Sequence, residues 1–356
     1  MLIKERLIKY IAVLSIFFFF SLSFGKILVY AKDLTPEAHH VIAIDSDSKQ
    51  VLYEKNGYNS VPMASTTKIL TALIALNSGD INRVFTVSKN ATAIRGSKIG
   101  FRAGEQITLH ELLFGLMMKS GNDAAITIAE GLAGSVDDFS KVMNSFAENI
   151  GLLNSHFQTP HGLDMEDHYS SAYDLAIATS EAMKYEKFRE IVAIKEISKE
   201  KYKFTRDYRN INKILWIIPN ANGVKTGYTG KAGKCLVSSI DHKGRDVIIV
   251  VLNSPQRWRV TEKVYKYVGE NYDFMSVSLK DTIRSQYKSL EEFVDDSNID
   301  FVIKKGESYQ IKFTPISNKT IKGNIIGKIA VYDSMNNVLV KKYVYSNTDK
   351  KGFFKN

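Results

Sequence analysis

The chain has 356 residues, 44% of them hydrophobic and 24% charged, with a formal net charge of +10. That composition excludes a disordered or collagen-like chain and leaves length for about two domains with a sizeable core. The basic surplus suits an anionic surrounding such as a cell wall or membrane surface; it is spread along the chain and carries no nucleic-acid module.

The N-terminus comes first. "MLIKERLIKY" is basic, "IAVLSIFFFFSLSF" is an apolar run of signal-peptide length, and Val29 and Ala31 offer small residues for cleavage. A signal peptide over residues 1–31 is expected, with an uncleaved membrane anchor as the alternative; both place the body outside the cytoplasm. Cys235 is the only cysteine, so the chain can form no disulfide within itself and no cysteine-based metal site. It sits in an apolar run and reads as a packing residue. No His/Asp/Glu cluster has ligand spacing, so neither metal nor organic cofactor is implied.

"HVIAIDSDSKQVLYEKN" reads as a hairpin of two short strands. A helix then begins near Ser65, running into "ILTALIAL". "TLHELLFGLMMKS" opens with Thr108 and has Glu111 three residues on, a capping-box start. Ser120-Gly121-Asn122 breaks that helix and opens another. "SVDDFSKVMNSFAENIG" repeats the pattern between a Ser135 cap and a Gly151 stop, and "SSAYDLAIATSEAMKYEKF" is a further amphipathic helix. "KCLVSSIDHKGRDVIIVVLNS" gives two apolar strands around a turn at Asp241 to Gly244, and "RVTEKVYKYVGENY" is helical again. Strands, a helical block, strands and a helix in that order build one antiparallel sheet with helices packed on it, an α+β domain over residues 32–275. From 276 to 346 the alternating pattern is that of a small β-rich domain, and 347–356 reads as a tail.

The chemistry begins with "MASTTKIL". Ser65 and Lys68 stand at i and i+3 on the predicted helix and share a face. A helix N-terminus favours negative charge developing on a serine oxygen, and a lysine kept neutral by burial can serve as its base. Serine at a helix start is commonly a cap, however, and S-x-x-K recurs at Ser23/Lys26, Ser46/Lys49, Ser198/Lys201 and Ser285/Lys288. Ser120-x-Asn122 reads alone as a loop with an Asn or Asp cap, and Ser334-Met335-Asn336 matches it. "GVKTGYTGKAG" reads alone as a glycine-rich turn ahead of the strand pair. Its functional reading has Lys225 and Thr226 holding a substrate carboxylate, with Gly227 letting an extended peptide lie against a strand edge.

The ordered set S-x-x-K, S-x-N, K-T-G is far more specific than any member. It resembles the penicillin-recognising serine enzymes. With "TPHGLD" and "GVKTGYTGKAGKCLVSS", it is most similar to the D-alanyl-D-alanine carboxypeptidases, the low-molecular-mass penicillin-binding proteins, over about residues 38–275. The resemblance implies a β-lactamase/transpeptidase-like catalytic domain, followed by the β-rich C-terminal domain many of these enzymes carry. It implies Ser65 as nucleophile, Lys68 as its base and Ser120 as proton relay. Asn122 would bond the substrate backbone, Lys225 would supply positive potential, and Thr226 would bind the terminal carboxylate. Gly227 would admit the peptide, and the backbone N–H groups of Ser65 and Tyr228 would form the oxyanion hole. His161 is expected to structure a loop near the site. Arg257 and Arg259 read either as charge near the carboxylate or as packed and solvated side chains. The implied partners are peptidoglycan stem peptides and, covalently, β-lactams; membrane association is at most weak. The alternatives are a class A-like β-lactamase and a silent wall-binding protein. Gly121 in place of the aspartate of S-D-N, and the lack of a matching glutamate segment between Gly151 and Tyr185, weigh against the first.

Overall fold

The computed structural model describes residues 34–316 and 325–346. The expected signal peptide at 1–31 and the tail at 347–356 lie outside the described residues. The N-terminal hairpin forms as read, from β1 (His40–Asp45) and β2 (Val51–Lys55). A 3-10 turn, Ala64–Thr67, leads into α1 (Lys68–Asn77). The helical block continues through α2 (Leu109–Met118), α3 (Asn122–Ala133), α4 (Val136–Asn149), α5 (Ala172–Ala182) and α6 (Glu186–Ala193). The chain then returns to strands, β3 (Ala221–Thr229), β4 (Gly233–His242) and β5 (Arg245–Leu252), before α7 (Arg257–Asn271).

These strands build one five-stranded antiparallel sheet in the order β2-β1-β5-β4-β3. Strand β5 is central, and its "VIIVVL" run is fully buried because helices cover both faces. Ile248, Val250 and Leu252 join the core shared with the helical block, while α7 packs on the sheet from the other side. Strand β3 ends the sheet and, among the described residues, leaves one edge without a strand partner.

The caps show why the helices start where they do. Ser135 Oγ accepts from Asp138 N–H at 3.0 Å, Gly151 takes φ 82° just past α4, and Phe139, Met143 and Ala147 line its buried face. Only half of the capping box at α2 forms. Thr108 Oγ1 accepts from Glu111 N–H, but the buried Glu111 carboxylate turns away to the amide and hydroxyl of Thr205 and the hydroxyl of Tyr208. The helix read through residues 170–188 is two helices, parted by a turn at Met183 to Tyr185.

The C-terminal part has its own apolar cluster, which includes Ile283, Phe301, Phe313, Ile329 and Val331. Strand β6 (Tyr272–Ser278) follows α7 directly and pairs with β7 (Asn298–Lys304); β8 (Tyr309–Pro315), β9 (Ile325–Asp333) and β10 (Val338–Tyr345) form a three-stranded antiparallel sheet. A helix, α8 (Leu279–Gln286), which the strand pattern did not announce, stands between β6 and β7, capped by Ser278 and burying Ile283. Arg245 ties the two parts together. Its guanidinium donates to Phe301 O at 3.0 Å and Met275 O at 3.2 Å, and also pairs with the buried Asp45 carboxylate.

Candidate active site

Ser65 lies in the 3-10 turn, and the structure decides against its being a cap. Met63 is the N-cap and no side chain caps the turn; Ser65 Oγ instead accepts a hydrogen bond from Lys68 Nζ at 2.9 Å. The same ammonium or amine nitrogen donates to Asn122 Oδ1 at 2.8 Å and to His161 O at 2.7 Å. Lys68 is fully buried. Its pKa is held well below the usual lysine value, chiefly by desolvation and then by the nearby charge of Lys225, against a weaker pull from Asp123. Lys225 is also buried and its pKa is lowered to about 7, by desolvation and then by Arg257. Burial thus pushes both lysines toward the neutral form. A neutral amine beside a serine hydroxyl is the arrangement a serine nucleophile requires.

Ser120 and Asn122 come from the sharp turn between α2 and α3. Ser120 is buried with φ 61°, a left-handed conformation that a non-glycine residue adopts at some cost. Among the described residues its hydroxyl takes no hydrogen-bond partner. The Asn122 amide is more committed than the sequence suggests. Oδ1 accepts from Lys68 and Nδ2 donates to Arg95 O at 2.7 Å, which leaves one N–H and one lone pair. Asp123 accepts from Ile99 and Gly100 N–H groups and so holds the loop that faces this turn.

Lys225, Thr226 and Gly227 lie inside β3, not in a turn ahead of a strand pair. They pair with Val237, Leu236 and Cys235 of β4. Lys225 Nζ donates to Thr226 O at 2.8 Å. Gly227 is where the strand meets the serine turn: a Cβ there would stand 3.1 Å from Ala64 Cβ and Met63 O and 3.2 Å from Ser65 N. Only a residue without a side chain lets the open edge of β3 approach the Ser65 N–H this closely. Tyr228 follows with its ring exposed. Arg257 proves to be packed: it donates to Gly227 O at 2.7 Å and Cys235 O at 2.9 Å and stacks over Trp258.

The loop that carries "TPHGLD" completes the site. His161 is buried and neutral, its pKa lowered to about 3 by desolvation and by the charge of Lys68; its carbonyl, not its ring, meets the lysine. Gly162, at φ 83°, lies against the turn so tightly that a Cβ would fall 2.0 Å from Ala64 O. Asp164 accepts from Thr229 Oγ1 at 2.6 Å and from Lys231 N–H, pinning the loop to the end of β3. The structure thus gathers Ser65, Lys68 and Asn122 into direct contact. Ser120 stands on the same turn as Asn122, and the K-T-G strand lies against Ser65. Sequence reasoning missed Thr67, Gly162, Asp164 and His168; the last two are far in sequence from the residues they touch, and only the "HGLD" text pointed near them.

Comparison with known proteins agrees with this geometry. Penicillin-binding protein 5 from Haemophilus influenzae superposes with a TM-score of 0.72 over 88% of this chain and 97% of its own, at 24% identity. The D-alanyl-D-alanine carboxypeptidase from Mycobacterium tuberculosis gives a TM-score of 0.61 at 31% identity, over 65% of this chain and 90% of that one. The fold is therefore that of the low-molecular-mass penicillin-binding proteins. D-alanyl-D-alanine carboxypeptidase DacF of Bacillus subtilis is 35% identical over 305 residues, 82% of this chain and 74% of DacF. The Peptidase_S11 model, described as D-alanyl-D-alanine carboxypeptidase, matches residues 29–256. The chain belongs to this family and is a serine peptidase.

Proposed function

We propose that the protein removes the terminal D-alanine from peptidoglycan stem pentapeptides through an acyl-enzyme on Ser65. The observation that carries this reading is the buried Lys68 amine, its pKa held well below the usual lysine value, 2.9 Å from Ser65 Oγ. Lys68 takes the hydroxyl proton as Oγ attacks the carbonyl of the penultimate D-alanine. The backbone N–H groups of Ser65 and Tyr228 receive the developing oxyanion, each donor contributing roughly 3 kcal/mol. As the C–N bond breaks, a proton passes by way of Ser120 to the leaving amine. Water then attacks the ester, and Ser65 recovers its proton.

The open edge of β3 supports an extended peptide lying along it, with the free N–H of Asn122 reaching the substrate backbone. Lys225 and Thr226 face the terminal carboxylate, Lys225 through positive potential and Thr226 through its hydroxyl. Arg257 acts on that strand through backbone carbonyls. A β-lactam enters the same path and acylates Ser65. The catalytic part spans 32–275 and the β-rich part 276–346, following a signal peptide at 1–31, so the enzyme works outside the cytoplasm on the cell wall. Incubation with a stem pentapeptide and assay for free D-alanine tests the reading: release by the wild type and loss in Ser65→Ala support it, and equal release by both proteins rejects it.

A further inference from the structure

A second hydrogen-bonded chain ends on the serine turn. His168 is buried in the loop after "HGLDMED". Its Nδ1 accepts the Gln158 N–H at 2.9 Å, so the ring proton stands on Nε2. Nε2 lies 2.9 Å from Thr67 Oγ1 and donates to it. The Thr67 hydroxyl, fully buried, passes its own proton to Ala64 O at 2.8 Å.

The end point explains its use. Ala64 is the residue before Ser65 and takes φ 51°, a left-handed conformation costly for alanine. The Ser65 nitrogen that follows lies beside Gly227, 3.2 Å from where a Cβ would stand. Gly162 and Gly227 close on Ala64 sterically, and the Thr67 hydroxyl adds a side-chain hydrogen bond to its carbonyl. We propose that His168 is a positioning residue for the nucleophile, acting through Thr67 to fix the Ala64 carbonyl and thereby the aim of the Ser65 hydroxyl and N–H.

The inference rests on Ser65 being the acylated residue. It is tested by stopped-flow acylation with a fluorescent penicillin, which separates the dissociation constant from the acylation rate, on purified protein whose fold is checked by circular dichroism. Thr67→Val, which keeps volume and removes the hydroxyl, lowers the acylation rate about tenfold, the loss of one aligned hydrogen bond, with the dissociation constant within about twofold. Thr67→Ser restores most of that rate. His168→Asn keeps an acceptor for Gln158 and loses the donor, and acylates as slowly as Thr67→Val; His168→Gln, whose amide reaches Thr67, recovers part of the loss. The double variant Thr67→Val/His168→Asn is no slower than the slower single variant, because both cut one chain. Wild-type rates in Thr67→Val and His168→Asn, equal rates for Thr67→Ser and Thr67→Val, or fully additive losses overturn the proposal. Failure of the wild type to label at Ser65 overturns the nucleophile assignment and this inference with it.

Discussion

Lys68→Met separates catalysis from stability at a single position. The substitution nearly keeps the side chain's length and removes the amine. Three hydrogen bonds are lost, those to Ser65 Oγ, Asn122 Oδ1 and His161 O. Each is worth about 1 kcal/mol net, and the two orphaned oxygens add a burial cost. Against this, a fully buried amine whose desolvation already drives its pKa down is replaced by a thioether suited to a core. The opposing contributions are comparable, so the unfolding free energy changes by no more than about 2 kcal/mol. Activity has no such compensation. Without a base, the Ser65 hydroxyl stays protonated, and the acylation rate falls by about 10²–10⁴. Urea denaturation and penicillin acylation on the same preparation check both halves. A folded Lys68→Met that acylates within tenfold of the wild type would falsify the assignment of Lys68 as base.

Three further outcomes follow from the same geometry. Gly227→Ala places a methyl 3.1–3.2 Å from Ala64 Cβ, Met63 O and Ser65 N, where backbone has little room to yield; it costs about 1–3 kcal/mol of stability and slows acylation, and an unchanged melting temperature with an unchanged rate would refute the close approach. Burial lowers the folded pKa values of His161 and His168 to about 3 and about 4, below the ordinary histidine value of about 6.5, so the unfolded state binds more protons and stability is lost as pH falls from 6.5 toward 4. For His168, which is faced by His156, Asp164, Lys68 and His161, the loss is on the order of 3 kcal/mol; equal pH slopes in the wild type and His168→Gln, measured by urea denaturation, count against it. Arg245→Met leaves the buried Asp45 carboxylate without its cation, held only by the Ser48 N–H and hydroxyl, and frees the Met275 and Phe301 carbonyls. It lowers stability by about 3 kcal/mol and speeds amide exchange in β6 and β7; protection as in the wild type would show that the arginine does not couple the two parts.

The sequence showed the hairpin, the helical block, the return to strands and the three motifs, because each rests on local pattern. Taken alone, Lys225-Thr226-Gly227 reads as a turn because Gly223, Gly227, Gly230 and Gly233 mask a strand; the functional reading has Gly227 at a strand edge, and the three residues lie within β3. At Gly227 the glycine exists for a contact made across the fold, with Ser65. The sequence placed Ser65 near a helix start, where its own motif could not tell a cap from a nucleophile and only the company of the other two motifs pointed to the nucleophile; the structure adds which partner Oγ takes. Arg257 was ambiguous for the same reason, since its partners are backbone carbonyls on β3 and β4. The Glu111 carboxylate left its expected box for Thr205 and Tyr208, almost a hundred residues away, and Thr67 meets His168 across a comparable distance in the chain. No short-range rule reaches such pairs.

The central claim is that Ser65 is the residue acylated. Peptide mapping by mass spectrometry after brief exposure to penicillin tests it most directly. The account predicts a single adduct on the peptide that contains Ser65, absent from folded Ser65→Ala and slow to be lost on standing. An adduct on another residue, or none on the folded wild type, contradicts it.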